Sequence, residues 1–111
     1  MSAVARRLEF ITSKTGVREG EMAELLGTSA QTLHRWRKAS VEPQRAHVQR
    51  IADLEYVAQD LAELYAPDEA RFWLYSRNRL LDGQRPVDLI SRGELDPVLQ
   101  AIALVKDGAF A

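Results

Sequence analysis

Cysteine is absent from the sequence, which excludes disulfide cross-links and thiolate metal sites. Histidine occurs twice, at His34 and His47, and neither forms a metal-ligand cluster with nearby carboxylates. No apolar run approaches the roughly 20 residues a membrane-spanning helix needs. The first residues, Met-Ser-Ala-Val-Ala-Arg-Arg-Leu-Glu-Phe, become charged at once and hold no apolar signal core. A cytoplasmic protein is therefore expected, with no membrane partner. No segment alternates apolar and polar residues long enough to suggest a sheet, and there is neither an internal repeat nor a low-complexity tract. A nucleophile–base pair, a phosphate-cradling glycine-rich loop and a carboxylate pair in a pocket-forming context are also missing. The expectation is a protein that is not an enzyme and needs no cofactor.

What is present is enough for one compact unit, or for two small ones sharing a core: 111 residues, 46% hydrophobic and 28% charged. Net charge is −1, but it is unevenly placed. Between His34 and Arg50 five basic residues (Arg35, Arg37, Lys38, Arg45, Arg50) face one acid, Glu42. Between Asp53 and Glu69 there are six acids and no lysine or arginine. Phosphate neutralisation is local, so such a chain can bind nucleic acid while being near neutral overall. The alternative is that both runs are solvated helix faces.

Helical spacing runs almost end to end. Val4, Leu8 and Ile11 form one stripe, ended by Gly16; Met22, Ala23 and Leu26 form a second, closed by Gly27. Ser29 is suited to cap a third helix with Leu33 and Trp36 on its inner face. After the break Val41-Glu42-Pro43, a long helix is expected from Pro43 or Gln44 to about Tyr65. Pro67 suits a first helical position, and short helices are expected around 68–74, 79–82 and 86–90. The last helix should start near Asp96-Pro97 and stop at Gly108. The fold expectation is all-α, with a DNA-binding and dimerisation region over 1–65 and a partner-binding domain over 66–111.

The run Met22 to Trp36 is the most informative. A helix-turn-helix needs a small residue where its helices touch, supplied by Ala23, and a residue tolerant of positive φ in the turn, supplied by Gly27. Leu33 and Trp36 anchor the second helix. The stretch resembles the helix-turn-helix of the Xre type, except that Thr28 stands where such motifs more often carry an apolar residue. Ser29, Gln31, Thr32, His34, Arg35 and Lys38 are the candidate DNA-binding residues, Gln31 for base edges and Arg35 and Lys38 largely for phosphate. His34 is either a contact or an exposed histidine without a role. The whole stretch also reads as an ordinary packed helix pair with a glycine turn.

Along the long helix, Ile51, Leu54, Ala58, Leu61 and Tyr65 keep the a/d rhythm of a coiled-coil seam, widened by Val48, Val57 and Leu64. A stripe this wide suits packing on the chain's own domain and on a second copy, and a homodimer suits a DNA reader. It equally suits a wholly intramolecular core.

The second half carries a run from Arg71 to Glu94 in which Trp73, Ser76-Arg77-Asn78, Leu80, Gly83, Pro86-Val87-Asp88-Leu89 and Gly93 keep fixed spacings. This pattern resembles the toxin-binding domain of Xre/MbcA/ParS antitoxins, over about residues 44–111, with Arg77 where that family often has proline. The resemblance implies a partner, a RES-domain toxin that consumes NAD, and a hetero-oligomer with it. Without the family, Asn78 is suited to cap the following short helix, and Asp88 to bond backbone amides near Pro86. Trp73 with Phe72 and Leu74 is too apolar to sit fully exposed. Arg71, Arg77, Arg79, Arg85 and Arg92 among apolar residues suit a protein–protein surface.

Beyond Gly108, Phe110 either folds back onto Trp73 or projects into a partner. In the resembling antitoxins the C-terminal end lies at the mouth of the toxin's NAD pocket. The resemblance thus implies that Lys106, Gly108, Phe110 and Ala111 obstruct that pocket, while Trp73, Ser76, Arg77, Asn78, Arg79 and Arg85 supply the surrounding interface. Two functions compete: an autoregulating, toxin-neutralising antitoxin, and a dimeric helix-turn-helix repressor of operator DNA with no toxin partner.

Overall fold

The computed structural model describes residues 1–108. Among these the chain is all-helical: α1 (Ala3–Thr15), α2 (Glu19–Leu26), α3 (Ala30–Arg37), α4 (Arg45–Ala62), α5 (Pro67–Tyr75), α6 (Pro86–Ser91) and α7 (Leu95–Lys106), with a 3-10 turn at Arg79–Leu81.

The helix ends follow local chemistry. The Ser2 hydroxyl accepts from the Ala5 amide at 3.0 Å and starts α1. Gly16, at φ 66°, ends it in the left-handed conformation that a side chain resists. A Cβ there would also lie 3.2 Å from the Pro67 carbonyl oxygen, so the same glycine lets α5 begin against α1. Gly27, at φ 70°, ends α2, and the Thr28 amide returns to the Ala23 carbonyl at 2.9 Å. Ser29 then accepts from the Thr32 amide at 3.1 Å and opens α3. Glu21 and Glu69 each reach back three residues to an unsatisfied helix-entry amide, of Arg18 and Ala66, at 2.9 and 2.8 Å. Pro67 and Pro86 begin α5 and α6, where a missing N–H costs nothing.

One apolar cluster runs through both halves of the chain, from Leu8, Ile11 and Met22 to Leu89, Val98 and Ile102. At its centre α4 packs on α1, α5 and α7. Ile51, Leu54, Val57, Ala58 and Leu61 are all 3% exposed or less. The coiled-coil seam read in the sequence is therefore consumed by the chain's own core. What α4 leaves outside is Arg45, Ala46, Val48, Gln49, Tyr56 and Gln59. Helix α4 also ends at Ala62 rather than near Tyr65, because the Leu64 and Tyr65 amides both turn back to the Leu61 carbonyl.

Ion pairs and charged hydrogen bonds tie the helices together. Arg7 of α1 donates twice to one Glu55 oxygen of α4, at 2.8 and 2.6 Å. Arg71 of α5 grips the Glu21 carboxylate of α2 with both faces of its fork. Arg50 of α4 donates to the Ile90 and Ser91 carbonyls at 2.8 and 2.7 Å, closing the C-terminal end of α6.

Candidate functional site

Two surfaces gather the residues that carry chemistry. The first is the outer face of α3. Leu33 and Trp36 are 0% and 2% exposed, and the Trp36 ring lies 5.1 Å from that of His47 at the start of α4. Trp36 is thus a core residue. At about 100° per residue, Gln31 and Lys38 then point away from the core, flanked by His34 and Arg35. All four are exposed. Thr32 is not on that footing: it is half-buried, and its hydroxyl oxygen accepts from Ser29 at 3.0 Å as part of the cap.

The basic run divides by role. Arg37 is held by the Glu19 carboxylate at 3.1 and 2.7 Å, and Arg50 by the α6 carbonyls. Arg35, Lys38 and Arg45 remain exposed, with no carboxylate partner among the described residues. Glu19 and Glu21, the acids at the entry of α2, are both neutralised by arginine. The Arg71 guanidinium holds Glu21 below the ordinary glutamate value of 4.5.

The second surface surrounds the C-terminal end of α5. Ala70 and Leu74 are buried and Trp73 half-buried, whereas Phe72 is 74% exposed. The expectation that this aromatic run shelters from solvent fails at Phe72, which lies on the side of the helix opposite the Ala70–Leu74 stripe. With Tyr65, Asp68, Trp73, Arg77 and Asn78 it lines an open groove of about 590 Å³. Phe72 was absent from the candidate residues; helical periodicity counted from Ala70 and Leu74 is the signal that finds it.

The loop beyond is well braced. Asn78 Oδ1 accepts from the Leu80 amide at 2.9 Å, as its capping role requires, and the Asn78 backbone pairs with Gln84. The Ser76 hydroxyl donates to the Phe72 carbonyl at 2.6 Å. Asp88 does not bond the amides near Pro86. Its carboxylate instead accepts twice from Arg85, at 3.0 and 2.9 Å, because a charged fork two bonds wide outcompetes an amide. That pairing lowers the Asp88 pKa below its ordinary 3.8. Arg71 and Arg85 both stand over the Tyr75 ring, at 5.0 and 5.8 Å, and burial pushes the Tyr75 hydroxyl up to about 12. Arg92 donates to Gln84 and Glu94. Among the described residues Arg77 makes one side-chain hydrogen bond, to the Gly83 carbonyl at 3.4 Å, and Arg79 is exposed and makes none. Of the arginines read as a binding surface, Arg77 and Arg79 are therefore the ones that no carboxylate engages among the described residues, and Arg71 belongs to the scaffold.

Lys106 has partners within the fold. Its ammonium is paired with Asp60 and, at 2.9 Å, with Glu63, so it fastens the end of α7 to α4. Gly108 follows in the left-handed conformation and is exposed. Phe110 and Ala111 lie outside the described residues. Among those residues no cluster of metal-ligating side chains occurs, and no helix is long and apolar enough to cross a membrane.

No family model matches the chain. It is 34% identical over 110 residues to the mycobacterial cidal antitoxin MbcA of Mycobacterium tuberculosis, covering 99% of this chain and 97% of that protein. The MbcA of Mycobacterium bovis matches over the same span at the same identity. A probable mycobacterial cidal antitoxin of M. tuberculosis is 34% identical over 95 residues, 86% of this chain and 81% of its own length. Among solved structures, a chain of the M. tuberculosis MbcT–MbcA toxin–antitoxin complex superposes with a TM-score of 0.86 at 33% identity, covering all of both chains. Sequence and backbone thus agree along the full length, and the chain belongs to the mycobacterial cidal antitoxin MbcA family.

Proposed function

We propose that this chain is an antitoxin that neutralises a cognate RES-type, NAD-degrading toxin by direct binding and occlusion of its active site. It also represses its own operon through a helix-turn-helix formed by α2 and α3, acting as a homodimer. The observation that carries the first part is the full-length likeness to a chain solved within a toxin–antitoxin complex. The groove beside Phe72, with Arg77 in its lining, supports contact there: exposed aromatics and arginines are what interface centres use. Lys106 contributes by holding the end of α7 in place. The second part rests on the exposed, carboxylate-free face of α3. A dimer would draw on the strip of α4 that the core leaves outside.

The test is co-expression with the product of the adjacent reading frame, followed by co-purification and an NAD-consumption assay. Co-elution and protection are expected. Deleting Gly108 to Ala111 should preserve folding and DNA binding while weakening protection. Full protection by the truncated chain would move the inhibitory contact to the Ser76–Arg85 surface.

A further inference from the structure

We propose that the outer face of α3 reads an adenine through Gln31 and a guanine through Arg35, the two bases lying within about two base-pair steps of each other in each half-site. This rests on the helix-turn-helix reading above and assigns Arg35 to a base rather than to phosphate.

The assignment follows from what the fold leaves available. Leu33 and Trp36 are in the core, Thr32 is engaged with the Ser29 cap, and Arg37 is held by Glu19. Ala30 has no polar side-chain atom. Gln31 and Arg35 are exposed, and neither makes a side-chain hydrogen bond among the described residues, so no internal bond must break before they reach a partner. They stand four positions apart, on one face of the helix and roughly 6 Å apart along its axis. Successive bases are roughly 3.4 Å apart, so the two side chains span about two steps. The glutamine amide offers one donor and one acceptor side by side, the complement of adenine N6 and N7. The arginine fork offers two parallel donors, the complement of guanine O6 and N7. Helix α3 carries no carboxylate to repel the duplex, and Lys38 at its end is a point charge suited to phosphate.

The experiment is selection from a randomised duplex pool with the full-length chain, then affinity measurement on point variants of the enriched sequence. An adenine and a guanine no more than two steps apart should be enriched. Gln31→Ala should flatten the preference at the adenine alone, and Gln31→Glu should move it toward cytosine, whose N4 donates to a carboxylate. Arg35→Ala should cost about 5- to 150-fold on the guanine-bearing sequence and much less on unrelated sequence. If the Arg35→Ala loss is equal on all sequences, Arg35 is a phosphate contact and the assignment fails. A motif unmoved by either Gln31 substitution likewise overturns it for adenine. A pool that enriches nothing overturns the helix-turn-helix reading itself, and this assignment with it.

Discussion

Arg50 lies in the basic run that suggests DNA contact, yet the fold gives it another task, and replacing it with methionine separates the two. Arg50→Met keeps an unbranched stem of similar reach and removes the guanidinium. Two hydrogen bonds to the Ile90 and Ser91 carbonyls, at 2.8 and 2.7 Å, would be lost. A charge-assisted bond in a buried setting contributes about 1.5–3 kcal/mol. Here the Arg50 side chain is 25% exposed and the Ser91 bond is at the surface, so water recovers part of each. The net loss should be about 2 kcal/mol, which for a domain of this size lowers Tm by about 8–12 °C. Urea unfolding followed by circular dichroism gives the stability. Operator affinity at two salt concentrations, at a temperature where the variant is folded, gives the DNA term. Lower stability with an unchanged salt slope is expected. An unchanged Tm with a shallower salt slope would show Arg50 to be a phosphate contact and refute its placement against α6.

Trp36→Ala should destabilise the chain by about 3–5 kcal/mol, seen as loss of most of its urea resistance; near-wild-type unfolding would remove Trp36 from the core. Ala39 ends α3 at φ 59°, so Ala39→Gly should raise stability by about 0.5–1 kcal/mol, and a lower Tm would contradict the left-handed assignment. Glu21 and Asp88 have lowered folded pKa values, so their contribution is complete above the ordinary values of 4.5 and 3.8 and fades as pH falls through the folded ones. Urea midpoints should be flat from pH 7 to 5.5 and drop below about 4.5, less so in Glu21→Gln. Phe72→Ala should change stability by less than about 0.5 kcal/mol yet weaken toxin binding at least about fivefold in titration calorimetry; unaltered affinity would take the groove out of the interface.

Local chemistry was readable from the sequence because it acts within a turn or two. The stripes through Leu8 and Ile11 or through Leu33 and Trp36, the stops at Gly16 and Gly27, and the caps Ser29 and Asn78 all involve neighbours in the chain. Charged side chains were not readable in the same way. Arg50 and Ile90, Arg71 and Glu21, and Lys106 and Asp60 are 40, 50 and 46 positions apart. Only the packing of α4 and α5 brings such partners together, so Arg50, Arg71 and Lys106, which look available in sequence, are committed in the fold. The α4 seam shows the same limit: its rhythm specifies a buried stripe but not whether a second chain or α1, α5 and α7 cover it. Phe72 is legible from the helical phase that Ala70 and Leu74 set, although its hydrophobicity alone argues for burial.

The most direct measurement of toxin neutralisation is NAD consumption by the purified product of the adjacent reading frame as this chain is titrated into it. Activity should fall linearly and vanish near equimolar protein. Undiminished consumption in the presence of excess, folded chain would contradict the antitoxin mechanism.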